Sequence, residues 1–200
     1  MPHTILVVCA TAIAFGVTEL LAYAALRNLL PENRCHALAG PCVASLVVLL
    51  SPHSSWVGAE MEAAILCGSL ASLAIVDLRS GYVPNLALLP LFLLAIFHVA
   101  LSRDIFTGVM GALLVGGLAL GLHALGKGAS FGLGDVKLLA LLGLILGATR
   151  SVMLLGDAFI IGAAIGIALL AFGRASRHDA LPFVPMLGLA LLWQAASHAI

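Results

Sequence analysis

A chain of 200 residues that is 62% hydrophobic and only 9% charged falls far short of the roughly 25% charged residues usual in a soluble domain. Nine basic and nine acidic residues cancel, and the absence of a basic cluster excludes a nucleic-acid binder held by phosphate contacts. The mean hydropathy of +1.19 comes from long apolar runs without strand-length alternation. The expected fold is therefore all-α, a polytopic transmembrane helical bundle.

The first run covers residues 4–26 and is closed by Arg27, Pro31, Glu32 and Arg34. It lacks a basic start and contains Glu19, so it reads as a retained span and not a signal peptide. A second run, 37–50, is interrupted by Pro41. It would rise only ~21 Å against a hydrocarbon core of ~30 Å, which makes it the span least suited to crossing. Pro52, His53 and Trp56 read as an interfacial turn.

The third run, 61–76, ends on Asp77-Leu78-Arg79-Ser80-Gly81-Tyr82-Val83-Pro84-Asn85. A fourth, 86–101, stops at Arg103 and Asp104, and a fifth, 105–125, gives way to a glycine-rich loop over 126–134. Runs at 136–148 and 152–172 follow. A polar loop, 173–180, then leads through Pro182 and Pro185 into an eighth run ending near Ala199. The expectation is one domain over 1–200 with about eight spans. Its chemistry-bearing part is about 70–200, and 1–60 supplies two accessory spans.

Basic residues favour the cytoplasmic side. With the first loop inside, the inner loops hold Arg27, Arg34, Arg79, Lys127, Lys137, Arg174 and Arg177, while the outer loops hold Arg103 and Arg150. That arrangement puts Asp77 and Asp135 at the same, cytoplasmic, face. If the second run does not cross, only the amino terminus changes side.

A carboxylate beside hydrocarbon is expensive to ionise, so an acid in such a chain is a functional candidate. From Asp135 to Arg150 a helix rises about 22 Å, which sets Asp135 below the inner surface if Arg150 reaches the outer one. Gly132 and Gly134 beside it allow close backbone approach. Asp135 could equally be a favourable acid at a helix start, and Asp77 could pair with Arg79. Brought together, however, the two carboxyls cannot both ionise cheaply and would share one proton. A protonated and an ionised carboxyl side by side can activate water and polarise a carbonyl.

The remaining acids compete less well. Glu19, inside the first span, suits substrate contact or hydrogen bonding. Asp157, Glu60, Glu62, Asp104, Glu32 and Asp179 read as solvated. His98 and His123 form no metal-ligand cluster, and Cys35-x6-Cys42 with His36 lacks zinc spacing, so neither metal nor cofactor is expected. No Ser-His-Asp constellation is legible. The pairs Gly117/Gly121, Gly143/Gly147 and Gly162/Gly166 read as packing devices.

Three segments resemble the type IV prepilin peptidases, a family of membrane aspartic proteases. Val76-Asp77-Leu78-Arg79 followed by Val83-Pro84-Asn85 is similar to the family's first aspartate motif. Gly132-Leu133-Gly134-Asp135-Val136-Lys137-Leu138 is similar to its Gly-x-Gly-Asp motif, and Leu181-Pro182-Phe183-Val184-Pro185 to its Pro-Phe-x-Pro. The resemblance implies an endopeptidase of the bacterial cytoplasmic membrane that removes the basic leader of prepilin-like precursors ahead of their hydrophobic helix. Asp77 and Asp135 would be its catalytic acids, supported by Gly132, Gly134, Lys137, Arg79, Pro84 and Asn85. Membrane lipid and the precursor are the implied partners, with Glu32 or Asp179 recruiting the basic leader. Larger members carry paired Cys-x-x-Cys motifs in the first loop and also methylate the new amino terminus. No such pair stands here, so peptidase activity alone is expected. A small proton- or cation-coupled transporter using Asp135, Asp77 and Glu19, and an inactive assembly scaffold, are the alternatives.

Overall fold

The computed structural model describes residues 57–81, 83–101, 105–126, 131–174 and 181–198. The first two apolar runs, with Glu19, lie outside the described residues. Every regular element among the described residues is helical.

Helix α1, Val57–Ser80, contains no proline and ends where Gly81 takes φ +66°, a conformation costly for a residue with a Cβ. The Gly81 N–H closes the last turn on the Asp77 carbonyl at 2.8 Å. Asp77 therefore stands one turn from the helix end. Pro84, at φ −70° and ψ 139°, leads into a 3-10 turn, Asn85–Leu88, and α2 follows at Leu89–Leu101.

The next rod consists of α3 (Ile105–Gly111), a π-helical turn (Ala112–Gly116) and α4 (Gly117–Leu125). Gly111 and Gly117 keep right-handed helical angles at the joins, so the rod runs on through the widened turn. It crosses the following helix at glycines. A Cβ on Gly108 would lie 2.6 Å from the Leu144 carbonyl oxygen, and one on Gly116 would lie 2.9 Å from the Ala140 Cβ. Gly111 and Gly143 meet backbone to backbone.

Helix α5, Leu133–Ala171, contains 39 residues but is broken at Gly147, with φ 77° and ψ 175°. Unbroken, it would be about 58 Å long. Phe183 shows that the chain folds back instead. Its ring lies 5.0 Å from that of Phe131 and 5.6 Å from that of Phe159, although a straight helix would hold those two partners roughly 42 Å apart. The Ser151 hydroxyl reaches the Gly147 and Ala148 carbonyls at 2.6 and 3.1 Å, where the break interrupts the hydrogen-bond ladder.

The sixth and seventh runs are thus two limbs of one hairpin, joined at a single residue rather than by a loop. Arg150 lies just past the break, so the straight rise from Asp135 ends at Gly147, about 18 Å away. The glycine pairs divide as well. Gly143 serves close packing, whereas nothing lies within 4 Å of a Cβ built on Gly117 or Gly121. Gly162 and Gly166 face Met186 and Leu181 at 3.6 and 3.2 Å.

Helix α6, Val184–His198, packs on α1 and α5. Leu70, Leu73, Leu91, Leu138, Leu142 and Leu187 form the centre of the core. The outer surface is also apolar, with Phe106, Leu113, Ile160, Ile167 and Trp193 exposed, as suits helices that face lipid. Two helices, Ile105–Leu125 and Leu133–Ala171, are long and apolar enough to cross a membrane, and shorter apolar helices cover Ile65–Leu78, Asn85–Ala100 and Val184–Gln194.

Candidate active site

Asp77 and Asp135 come together at one end of this bundle. Asp77 is buried, 5% exposed. Its Oδ2 accepts the Val184 N–H at 3.1 Å, with the Phe183 N–H close beside it. These amides open α6, where helix N–H groups lack intrahelical partners and the helix dipole favours an anion. Pro182 and Pro185 have no N–H to offer. The Pro-Phe-x-Pro segment therefore presents two adjacent amides, and the Val184 amide holds Asp77. Sequence reasoning did not assign them, because backbone donors have no side-chain signature; their confinement between two prolines was the legible signal.

Asp135 stands in the first turn of α5, where its carboxyl lies beside the Gly132 backbone and close enough to Asp77 to feel that side chain's charge. Its Oδ1 is buried without a hydrogen-bond partner among the described residues. A Cβ on Gly132 would sit 3.2 Å from Asp135 Oδ2. One on Gly134 would sit 2.7 Å from the Val83 carbonyl oxygen and 2.8 Å from the Val83 Cβ. The second glycine of Gly-x-Gly-Asp thus allows the strand-like Val83-Pro84 link to press against the start of α5.

Beyond that contact the Lys137 Nζ donates to Asn85 Oδ1 at 2.8 Å. Asn85, Lys137 and Asp135 line a cavity of about 530 Å³ together with Pro84, Gly132 and Gly134. Asp135 faces this space, whereas Asp77 is not part of its wall. A second cavity of about 540 Å³ shares Asn85 and Lys137 but is otherwise walled by Leu88, Phe92, Leu141, Leu144 and similar apolar groups. Arg79 lies in the last turn of α1. Phe131, buried edge-on against Phe183, ties the glycine loop to the amides that hold Asp77.

Two of the acids expected to be solvated have partners within the bundle. Glu62 Oε2 lies 3.1 Å from His98 Nδ1, and the Gln194 Nε2 donates to Asp157 Oδ2 at 2.8 Å. Both pairs link neighbouring helices, because a polar side chain on an apolar helix is better hydrogen-bonded than bare. Among the described residues no three His, Cys, Asp or Glu side chains gather as metal ligands would.

Fold and site together define an apolar helical protein with two neighbouring carboxyls, one of them held by the amide that opens the last helix, at one end of its bundle. Residues 64–167, just over half of the chain, match the Type IV leader peptidase family, and the chain belongs to it. It is similar to the prepilin leader peptidase/N-methyltransferases of Burkholderia pseudomallei strains 1026b and K96243. Each is 30% identical over 155 residues, which is 74% of this chain and 49% of the relative. The chain spans about half the length of these relatives. No solved structure gives a significant match.

Proposed function

We propose that the protein is a prepilin peptidase, an aspartic endopeptidase that cleaves the leader from prepilin-like precursors. Family membership supports the substrate class. The observation that carries the chemistry is the unpartnered Asp135 Oδ1, next to Asp77 and lining a cavity. A buried polar atom without a partner is costly, and a proton held between Asp135 and Asp77 would satisfy it.

The carboxyl pair holds one proton between its members. The ionised member takes a proton from water as that water attacks the scissile carbonyl, and the protonated member supports the developing oxyanion. Breakdown of the tetrahedral adduct passes a proton to the leaving amine and restores the pair. Phe183, Val184 and Gly132 keep the two carboxyls oriented throughout. Lys137 and Asn85 position the precursor at the cavity rim. Arg79, Pro84 and, in the first apolar run, Glu19 complete the proposed contacts.

The protein would act as a multi-pass component of the bacterial cytoplasmic membrane, with about eight spans and the site on the cytoplasmic side, as the distribution of basic residues indicates. Methyl transfer is not part of the proposal, since no Cys-x-x-Cys pair follows the first apolar run. The test is cleavage of purified precursors by the reconstituted protein. Asp77→Asn and Asp135→Asn should each abolish processing while leaving membrane insertion intact. A single variant that still processes precursor removes the two-acid mechanism.

A further inference from the structure

His123 lies in the last turn of α4, outside every motif discussed above. Its Nδ1 is 2.6 Å from the Phe131 carbonyl oxygen. A carbonyl can only accept, so Nδ1 carries the proton in this contact. The consequence lies in the peptide group. The Phe131 carbonyl and the Gly132 N–H are the two ends of one planar trans unit and point in opposite directions. His123 holds one end, and the Asp135 carboxyl stands beside the other, its Oδ2 3.2 Å from where a Gly132 Cβ would be. A hydrogen bond at the carbonyl also polarises the amide and strengthens its N–H as a donor.

The other restraints on this peptide act elsewhere. The Phe131 ring is fixed by Phe183, which sets where the side chain lies but leaves the peptide plane free to rotate about its flanking bonds. Gly132, at φ −73° and ψ 145°, has no Cβ to resist that rotation. Among the described contacts, the imidazole is the group that fixes the plane.

We propose that His123 is a positioning residue for Asp135, acting through the 131–132 peptide to aim the Gly132 N–H at the carboxyl. The inference rests on the peptidase reading for its kinetic consequence but not for its structural one, and the experiment separates the two.

The first measurement needs no substrate. Infrared spectra of the purified full chain contain an Asp135 carboxyl band, assigned by its loss in Asp135→Asn. His123→Ala should move that band, and His123→Gln, whose amide can donate to the same carbonyl, should return it towards the wild-type position. His123→Leu, which fills the space without a donor, takes the place of the alanine variant if that one inserts poorly. The second measurement is precursor cleavage. The donor-less variants should lose about tenfold in kcat with KM unchanged, the effect of one misaligned hydrogen bond, and His123→Gln should recover most of it.

The proposal is overturned if the donor-less variants keep both the wild-type band and the wild-type kcat. It is also overturned if His123→Gln is as impaired as His123→Leu, with the same loss of thermal stability, since the imidazole would then be acting as packing. If the wild-type protein cleaves no precursor, the peptidase reading falls, and the infrared comparison still decides the role of His123.

Discussion

The Val184 amide donates to the Asp77 carboxyl at 3.1 Å across 107 positions of sequence, so one of the two acids is held by the start of the last helix. The contact can be removed selectively. Val184→Pro deletes the N–H at a first-turn position where proline's φ is tolerated. Val184→Ala keeps the N–H but gives up packing at a fully buried site. The alanine variant should lose about 1–3 kcal/mol of stability and retain kcat for precursor cleavage. The proline variant should lose tenfold or more in kcat. Equal kcat values for the two would show that the amide does not matter to the chemistry.

Gly134 has no room for a methyl group. A Cβ there would meet the Val83 carbonyl oxygen at 2.7 Å, and backbone cannot give way as a flexible side chain does. Gly134→Ala should therefore cost about 1–3 kcal/mol in overpacking and displace Val83 from the start of α5, with loss of cleavage. Gly121→Ala is the matched control. A Cβ at Gly121 meets nothing within 4 Å, and alanine favours helix over glycine by up to ~1 kcal/mol. Thermal unfolding in detergent should rank Gly121→Ala at or above wild type and Gly134→Ala below it.

Asp77, Asp135 and the glycines before Asp135 were legible because charge is rare in this chain and a carboxylate near hydrocarbon calls for a reason. Their convergence was not legible. It depends on Phe183, which touches Phe131 and Phe159 at once, and on amides that composition does not distinguish from any others. Gly143 and Gly147 look identical in sequence, four residues apart in an apolar run. One permits backbone contact with Gly111, and the other reverses the chain. Spacing alone could not separate the two uses, since glycine serves both through the same missing Cβ. The Glu62–His98 and Asp157–Gln194 pairs were missed for a related reason: each needs a partner from another helix, and helix packing order is not written in any single run.

The Lys137–Asn85 hydrogen bond, 2.8 Å long, lies at an exposed rim, where such a contact contributes about 1 kcal/mol or less to stability. Lys137→Met and Asn85→Ala should accordingly unfold within a few degrees of wild type. If these side chains position the precursor, the variants should instead raise KM severalfold while altering kcat less. Steady-state cleavage kinetics decide the point, and a pure stability loss with unchanged KM would count against a role at the rim.

Gly147 carries the fold-back, and the reason is conformational rather than steric. A Cβ built there would meet Thr107 at an ordinary 3.5 Å, but φ 77° with ψ 175° is a region essentially reserved for glycine, with a cost of order 1–3 kcal/mol for other residues. Gly147→Ala should lower stability by that amount and should also loosen the second limb of α5 from α6, because straightening the backbone swings Phe159 away from Phe183. A cysteine pair replacing Phe159 and Phe183 would report this directly. Cross-linking by a short bifunctional thiol reagent should be efficient in the otherwise native chain and should fall when Gly147→Ala is added. Gly156→Ala, also in the second limb and also with nothing within 4 Å of its Cβ, should leave the cross-link unchanged. Equal cross-linking in all three would mean that the reversal is enforced by packing along the limbs and not by the one residue with left-handed φ between them.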